Sequence, residues 1–269
     1  MVIKPGNPPG QYWVDIWRYR ELFYFLAWRD IIVRYKQTII GIAWSLIRPF
    51  LTLVVFTVVF SKIAKLPSYG APYPVLVFAG LLPWQFFANA LSESSNSLID
   101  NEKLITKVYF PRFIVPSSTV IVSIVDFLLN LLILIAIMAW YRFAPGPRIM
   151  ILPLFFLFAV IVAMGAGLWM ATLNVKYRDF RYIVPFVIQF GLYISPVGFS
   201  SAVVPQNWRL LYSLNPMVGV IDGFRWAIIG GESHFYWPGF IISIILALVI
   251  FISGLFYFRK AEKKFADVI

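Results

Sequence analysis

Long apolar segments constrain this chain more than any other feature of its sequence. A helix crosses a hydrocarbon core of about 30 Å with roughly 20 apolar residues. Six segments meet or approach that length: Ile39–Phe60, Val75–Ser95, Phe113–Tyr141, Ile149–Leu173, Tyr182–Phe199 and Tyr236–Phe258. Only 13% of the residues are charged, whereas soluble domains average about 25%. We therefore expect an all-α integral membrane protein with one transmembrane domain over residues 1–269, in which six transmembrane helices form a bundle over residues 39–258.

The basic residues between these spans predict the orientation of the chain. Cytoplasmic loops carry an excess of Lys and Arg. Sixteen of the 23 basic residues lie on the side of the termini, and Arg48 lies inside the first span. Six lie on the opposite side: Lys62, Lys65, Arg142, Arg148, Arg209 and Arg225. We therefore place both termini in the cytoplasm, and we interpret the net charge of +11 as a topology signal with anionic headgroup contacts rather than a nucleic-acid face.

Two segments outside the spans predict shorter helices. Residues 12–28 are too short and too charged to cross, and their aromatic residues can share a face, which is typical of an amphipathic helix in the membrane interface. The alternative is a soluble N-terminal helix packed on a partner. Residues 205–229 follow the fifth span. There, Asn215-Pro216 suits a helix start and Gly230 a helix end, with about 14 residues between them. We expect this helix, beside a shorter one near Trp208–Leu214, to be re-entrant and to form an outer gate.

The residue types exclude several kinds of site. The chain has no cysteine and a single histidine, His234, so Cys-based and His-rich metal sites are excluded. It contains no G-x-x-x-x-G-K-[ST] loop, so it cannot bind ATP by that route. We therefore expect a chain that is not an enzyme and binds no cofactor.

Two stripes of side chains point to a polar passage through the membrane. Residues four apart share a helical face. The first stripe contains Trp44, Arg48, Thr52 and Phe56, and the fifth span repeats the pattern with Tyr182, Phe186, Gln189 or Phe190, and Tyr193. Aromatic rings pack on apolar faces while polar edges form hydrogen bonds, a combination that suits sugars. The alternative is that these aromatics fill the core or a membrane belt.

The third span carries a buried acid, Asp126, followed one turn later by Asn130. An intramembrane carboxylate is a functional candidate. We favour the alternative that Asp126 makes a helix–helix hydrogen bond or an ion pair with Arg48.

The cytoplasmic connections are polar enough to dock another protein. A short helix is expected to start at Asp100 or Asn101 and to end before Pro111, and "NVKYRDFRY" forms a mixed-charge turn between spans four and five. The alternative is that both segments are simply solvated loops.

Five motifs in order resemble the membrane subunits of ABC transporters that export polysaccharides. They are "RYKQTIIGIAWSLIRP", "FAGLLPWQFF", "LITKVYFPR", "GLWMATLNVKYRDFRY" and "LNPMVGVIDGFRWAI". The resemblance implies a homodimer in the bacterial inner membrane with two copies of a separate ATPase subunit, which would hold ATP and Mg. It also implies export of an undecaprenyl-diphosphate-linked glycan, with O-antigen expected and capsule or teichoic acid left open.

The resemblance also implies roles for particular residues. The segment 100–107 would be the coupling helix that enters the ATPase, and residues 205–229 would be the outer gate. ATPase contacts are expected at Asp100, Asn101, Glu102, Lys103, Lys107, Arg178 and Asp179. The channel would be lined by the first and fifth spans, with expected contacts at Trp44, Arg48, Thr52, Phe56, Phe186, Gln189, Phe190 and Tyr193.

Arg48 is the expected contact for the lipid diphosphate, because a guanidinium donates two parallel hydrogen bonds. Further contacts are expected at the cytoplasmic entrance, from Arg34, Lys36, Lys176 and Arg178. Two other functions stay open: an efflux subunit for drugs or other lipids, and an intramembrane enzyme acting on lipid-linked sugars.

Overall fold

A computed structural model describes residues 9–36, 39–230 and 235–265. Within these ranges the chain is helical and contains no strand. The helices are α1 Pro9–Arg18, α2 Arg20–Lys36, α3 Ile39–Thr57, α4 Tyr73–Asp100, α5 Glu102–Lys107, α6 Ile114–Trp140, α7 Leu152–Lys176, α8 Phe180–Ile194, α9 Gln206–Tyr212, α10 Pro216–Ile228 and α11 Trp237–Glu262. A π-helical turn at Val58–Ile63 extends α3, and a 3-10 turn at Pro147–Ile151 precedes α7. The all-α prediction is confirmed.

Five of the described helical segments are long and apolar enough to cross a membrane: Leu46–Ile63, Tyr73–Asp100, Ile114–Trp140, Pro147–Lys176 and Trp237–Glu262. The predicted fifth span ends earlier than expected. Its helix, α8, has 15 residues, which is about 22 Å at 1.5 Å per residue. Ser195 has an extended backbone conformation, and the chain then passes through a turn and a bend over residues 195–199. The six-span count therefore stays a prediction.

α4 is the central helix of the bundle and contacts α3, α6, α7, α8 and α10. Its approach to α7 depends on small residues, since a Cβ atom on Gly167 would lie 2.6 Å from Ser94 Oγ. Ala159, Ala163 and Ala171, at the same four-residue spacing as Gly167, are fully buried. This spacing allows helix backbones to approach closely in lipid, as the sequence suggests for a packing surface.

Two apolar clusters hold the helices together. The larger cluster is rich in aromatic residues, with Phe127 of α6 stacked on Phe156 of α7 at 4.1 Å between ring centroids. The smaller cluster joins Leu26 of α2, Ile105 of α5 and Phe258 of α11. The N-terminal helices, the short α5 and the last span are thus packed as one unit.

The predicted N-terminal helix 12–28 is two helices, α1 and α2, and the second continues to Lys36. Hydrogen bonds through Tyr19 keep the chain nearly helical between them. Trp17 and Tyr24 are exposed, while Leu26 is buried against the bundle. One side is therefore open for an interface and the opposite side is packed.

The predicted pair of helices after the fifth span is present as α9 and α10. The Asn215 side chain caps α10 by accepting a hydrogen bond from the Met217 amide, and Pro216 occupies the first helical position. Gly230 ends the helix with a φ of +66°, a conformation that glycine adopts without steric cost. α10 is buried among α4, α7 and α11. Its re-entry into the outer leaflet stays a prediction.

Candidate functional site: a polar cavity among the membrane helices

A cavity of about 670 Å³ opens between α2, α3, α4, α6 and α8. It contains one acid, two arginines, several amides and hydroxyls, and two aromatic rings among apolar residues. Its lining is formed by Arg34, Arg48, Pro49, Thr52, Leu81, Trp84, Gln85, Ala88, Asn89, Ser92, Asp126, Asn130, Pro185, Ile188, Gln189, Leu192 and Tyr193. Such a surface is too polar to face lipid.

The first predicted stripe is only partly in this cavity. Arg48 and Thr52 line it, and the Thr52 hydroxyl donates to the Arg48 carbonyl at 3.0 Å. Phe56 does not line it: the side chain is buried in the core, 5.5 Å from the Phe60 ring. At 100° per residue, each four-residue step of the stripe overshoots a full turn by about 40°. The end of a long stripe therefore faces a different neighbouring helix from its start. The Trp44 side chain lies outside the described residues.

The fifth-span stripe divides in the same way. Gln189 and Tyr193 line the cavity. Phe186 and Phe190 do not; they stack on each other with centroids 5.8 Å apart and lie exposed on the surface of α8, as does Tyr182. A one-residue step rotates a side chain by about 100°, so Gln189 and Phe190 face different surroundings.

Asp126 is not paired with Arg48, contrary to one sequence-based expectation. Its Oδ2 accepts from Arg34 Nη1 at 2.7 Å, and its Oδ1 accepts from the Tyr35 hydroxyl. The second Arg34 nitrogen, Nη2, bonds Glu93 of α4. Burial, and then the bond to Asp126, raise the pKa of Tyr35, so its hydroxyl stays protonated and donates.

Arg34, an expected diphosphate contact at the entrance, has partners within the protein, and its contact with a diphosphate stays a prediction. Two carboxylates already bind its guanidinium. The Arg48 guanidinium, by contrast, makes no hydrogen bond or ion pair with any described residue. Lys176 and Arg178 are exposed, with Lys176 Nζ 5.0 Å from the Tyr177 ring centroid. The Lys36 side chain lies outside the described residues. Arg48 is therefore the cavity cation that is available to an anion.

The sequence pointed to Asp126 and Asn130 on α6, but gave no role to the cavity residues of α4. Gln85 and Asn89 are four residues apart on α4, and Asn130 is one turn beyond Asp126 on α6. The signal was present, since Gln85 and Asn89 are amides at helical spacing inside the second apolar span. Gln85 and Asn89 were not predicted as lining residues, because the predicted stripes were defined by their charged and aromatic residues.

The predicted short cytoplasmic helix is present as α5. Asn101 precedes it, and the Asn101 Oδ1 accepts from Arg29 Nη2 of α2 at 3.0 Å. Ile105 is buried, while Asp100, Glu102, Lys103 and Lys107 are exposed. Arg178 and Asp179 are exposed in the turn before α8. These residues form a mixed-charge surface, and their contact with an ATPase stays a prediction.

Arg225, which the distribution of basic residues places on the side opposite the termini, is buried with 3% of its surface exposed. Its guanidinium reaches three backbone carbonyls: Nε donates to Leu76 at 3.1 Å, Nη2 donates to Val197 at 2.7 Å, and Nη1 donates to Phe199. Leu76 belongs to α4, and the other two carbonyls lie in the turn and bend after α8. Arg225 thus satisfies backbone groups that the short α8 helix leaves without helical partners.

Neighbouring hydroxyls complete this arrangement. Tyr73 donates to the Gly198 carbonyl at 2.9 Å, and Tyr212 donates to the Ile194 carbonyl at 2.7 Å. A Cβ on Gly80 would lie 2.8 Å from Arg225 Nη2, so the close approach of the guanidinium to α4 requires glycine there. We refer to Arg225, Tyr73 and Tyr212 as the outer clasp.

The part of the chain that is described contains no cluster of three or more acidic or histidine side chains suited to a metal ion. His234 lies outside that part.

Comparison with known proteins was made on the whole chain. Residues 21–229 match the family model of the ABC-2 type transporter. The chain is 27% identical over 250 residues to an O-antigen export system permease protein, RfbA, of Klebsiella pneumoniae, which covers 93% of this chain and 95% of that protein. It is 26% identical over 215 residues to the RfbA protein of Myxococcus xanthus, covering 78% and 81%. It is 22% identical over 247 residues to a polysialic acid transport protein, KpsM, of Escherichia coli, covering 87% and 91%.

Proposed function

This chain belongs to the ABC-2 type transporter family, and from that premise we propose that it is the channel-forming membrane subunit of an ATP-driven polysaccharide exporter. The observation that carries the proposal is the polar cavity among its membrane helices, which combines Arg48, amides, hydroxyls and the rings of Trp84 and Tyr193. These groups suit a chain of hydroxylated rings attached to an anionic lipid. The similarity to O-antigen permeases over 93% of the chain supports the same conclusion.

The substrate is an undecaprenyl-diphosphate-linked glycan, O-antigen in the first instance, moved outward across the bacterial inner membrane with both termini of the chain in the cytoplasm. Arg48 binds the diphosphate during passage. Its side chain has no partner among the described residues, and a guanidinium exposed to lipid at the centre of a helix costs about 2.5–3.5 kcal/mol on insertion scales. A diphosphate offers such a cation two parallel hydrogen bonds.

Energy comes from a separate ATPase subunit, present in two copies beside a homodimer of this chain. The exposed side of α5 docks in the ATPase, and its buried Ile105 packs with Leu26 and Phe258. The Arg29–Asn101 hydrogen bond links α5 to α2. Because α2 also carries Arg34, which bonds Asp126 and Glu93 beside the cavity, a shift of α5 on ATP binding is transmitted to the cavity.

Co-purification with the ATPase encoded beside it, followed by ATP hydrolysis with and without lipid-linked glycan, tests this function. We expect a stable complex whose hydrolysis rate rises with glycan. A complex stimulated only by hydrophobic drugs would support an efflux subunit instead. Turnover of lipid-linked sugar by the purified chain alone would support an intramembrane enzyme.

A further inference from the structure

We infer that the wall of the cavity formed by α4 and α6 is a carbohydrate-binding surface, in which Gln85, Asn89 and Asn130 bond the hydroxyls of the passing polymer. This inference rests on the proposed function and extends it from the first and fifth spans to α4 and α6, where no motif assigned a role. We refer to these three residues as the amide wall.

The amides of this wall are available to a ligand. Gln85 and Asn89 line the cavity, are half-buried and form no hydrogen bond with any residue that the structure describes. An amide supplies two donor hydrogens and an acceptor oxygen. Each can therefore match a sugar hydroxyl, which both donates and accepts.

Asn130 provides the strongest sign of a missing partner. It is 5% exposed and lines the cavity. Its Nδ2 donates to the Asp126 carbonyl at 2.8 Å, but its buried Oδ1 has no partner in the described part of the chain. A buried acceptor without a hydrogen bond is costly. Because Asn130 lines the cavity, a rotation of its side chain would bring Oδ1 to a ligand hydroxyl and remove that cost.

Other described asparagines lie away from the cavity lining. Asn174 also has a buried Oδ1 without a partner in the described part of the chain, so an unpaired acceptor alone does not mark a binding surface. Asn96 donates to the Ser92 carbonyl at 3.0 Å and accepts from Asn174 at 3.1 Å. Asn101 and Asn215 likewise use both ends of the amide within the protein. The amide wall therefore differs from these asparagines because it combines unpaired amide groups with a position in the cavity lining.

Trp84 adds a ring surface beside the amides. It is 4% exposed, and a Cβ on Gly191 of α8 would lie 2.6 Å from its Cη2. The indole is thus held between α4 and α8 with little freedom, at the edge of the cavity that Tyr193 lines from α8. Rigid aromatic rings pack on the apolar faces of sugars while the amides bond the hydroxyls.

Export of glycan to the cell surface tests the amide wall directly. Asn89→Leu should lower the export rate by about fivefold, the loss expected for one net hydrogen bond. Ala144→Leu introduces the same leucine at an exposed position in the connection between α6 and α7 and should leave export unchanged. Equal export by the two variants would argue against the inference.

A second measurement does not depend on a substitution at the wall. Because the chain has no cysteine, Ala88→Cys places a single thiol in the cavity beside Asn89. A small charged methanethiosulfonate should label it more slowly in cells that make the glycan, with an ATPase unable to hydrolyse ATP, than in cells that do not. Ala144→Cys, in the exposed connection between α6 and α7, should react at the same rate in both.

The two proposals fail in different ways. If the wild-type chain exports no glycan, the proposed function is wrong. If the wild-type chain exports glycan but labelling of Ala88→Cys is unaffected by it, the inference about the amide wall is overturned while the proposed function stands.

Discussion

At the scale of single residues, the two arginines of the cavity differ in whether a carboxylate already binds the guanidinium. Arg34 is bound by Asp126 and Glu93, whereas the Arg48 guanidinium has no partner in the described ranges. Removal of a paired charge leaves other charges unsatisfied, and removal of an unpaired one does not. The same substitution should therefore affect stability at Arg34 and transport at Arg48.

Arg48→Leu should lower glycan export by about tenfold or more while the protein accumulates at its usual level, because the diphosphate loses a charge-assisted contact. Arg48→Lys keeps the charge but loses the forked geometry, so an intermediate rate is expected. Both rates are measured as surface glycan per unit of membrane-inserted protein. Normal export by Arg48→Leu would contradict the role of this residue.

Asp126→Asn should destabilise the chain by about 2 kcal/mol, because it weakens hydrogen bonds to Arg34 and Tyr35 that involve a charge. Tyr35→Phe removes one of these bonds and should cost about 1 kcal/mol. Thermal unfolding in detergent, followed by tryptophan fluorescence, measures both losses. A larger loss of stability for Tyr35→Phe than for Asp126→Asn would contradict this prediction.

At the scale of helices, the short α8 and the buried α10 depend on each other. The backbone after α8 is an irregular turn, and the outer clasp supplies donors to its carbonyls and to the last carbonyl of α8. Irregular backbone at membrane depth is tolerated where protein groups satisfy it. The outer clasp therefore explains how a helix of 15 residues can stand at the place of a predicted span.

Arg225→Leu should destabilise the outer half of the bundle by about 3 kcal/mol, since it leaves buried carbonyls unpaired. Arg209→Leu is the matched control. The Arg209 guanidinium donates to the Val204 and Ala202 carbonyls in the half-buried turn before α9. Water can replace the guanidinium there, so Arg209→Leu should lower stability less than Arg225→Leu. Unfolding temperature and protease cleavage near Ser200 measure the difference, and equal stability of the two variants would contradict the role of the clasp.

The exposed side of α5 is predicted to contact the ATPase subunit. Lys103→Glu combined with Lys107→Glu reverses two exposed charges and should prevent co-purification with the ATPase without changing the unfolding temperature. Ile105→Asp places a charge at a position that is 2% exposed and should lower the unfolding temperature. Undiminished ATPase binding by the double charge reversal would exclude α5 as the main contact.

At the scale of the whole molecule, one carboxylate joins three distant parts of the chain. Glu262 at the end of α11 accepts from the Tyr12 hydroxyl at 2.8 Å and from the Arg112 amide at 2.6 Å. Arg259 lies over the Tyr12 ring, 4.6 Å from its centroid. The N-terminal helix, the start of α6 after α5, and the last helix are thereby held together beside the predicted ATPase surface.

Tyr12→Phe should cost about 1 kcal/mol of stability at neutral pH. Burial, and then the charge of Glu262, raise the pKa of Tyr12 in the folded chain above its ordinary value of 10.0. The protonated hydroxyl therefore contributes stability that is complete below pH 10.0 and is lost as the pH rises further. Between pH 7 and pH values above 10, the free energy of unfolding should fall more steeply for the wild type than for Tyr12→Phe. Parallel pH profiles of the two proteins would contradict this.

The sequence by itself determined the features that depend on local order along the chain. Apolar length is sufficient to identify the long spans. A side-chain cap acts within a few residues, so the start of α10 at Asn215-Pro216 was predicted correctly. The presence of α5 was also predicted from local sequence, although no side chain caps its start. Four-residue spacing placed Arg48 and Thr52 together, and likewise Gln189 and Tyr193, and these four residues line one cavity.

Only the tertiary structure decided which distant groups meet. Arg34 and Asp126 are 92 positions apart, and nothing in the sequence distinguishes that pairing from one with Arg48. The same is true of Arg225, which is 149 positions from the Leu76 carbonyl that it binds, and of Phe56, which joins the core rather than the cavity. Local patterns fix the face on which a residue lies, but the partner of that face depends on how the helices pack, because burial and desolvation decide which polar groups must pair.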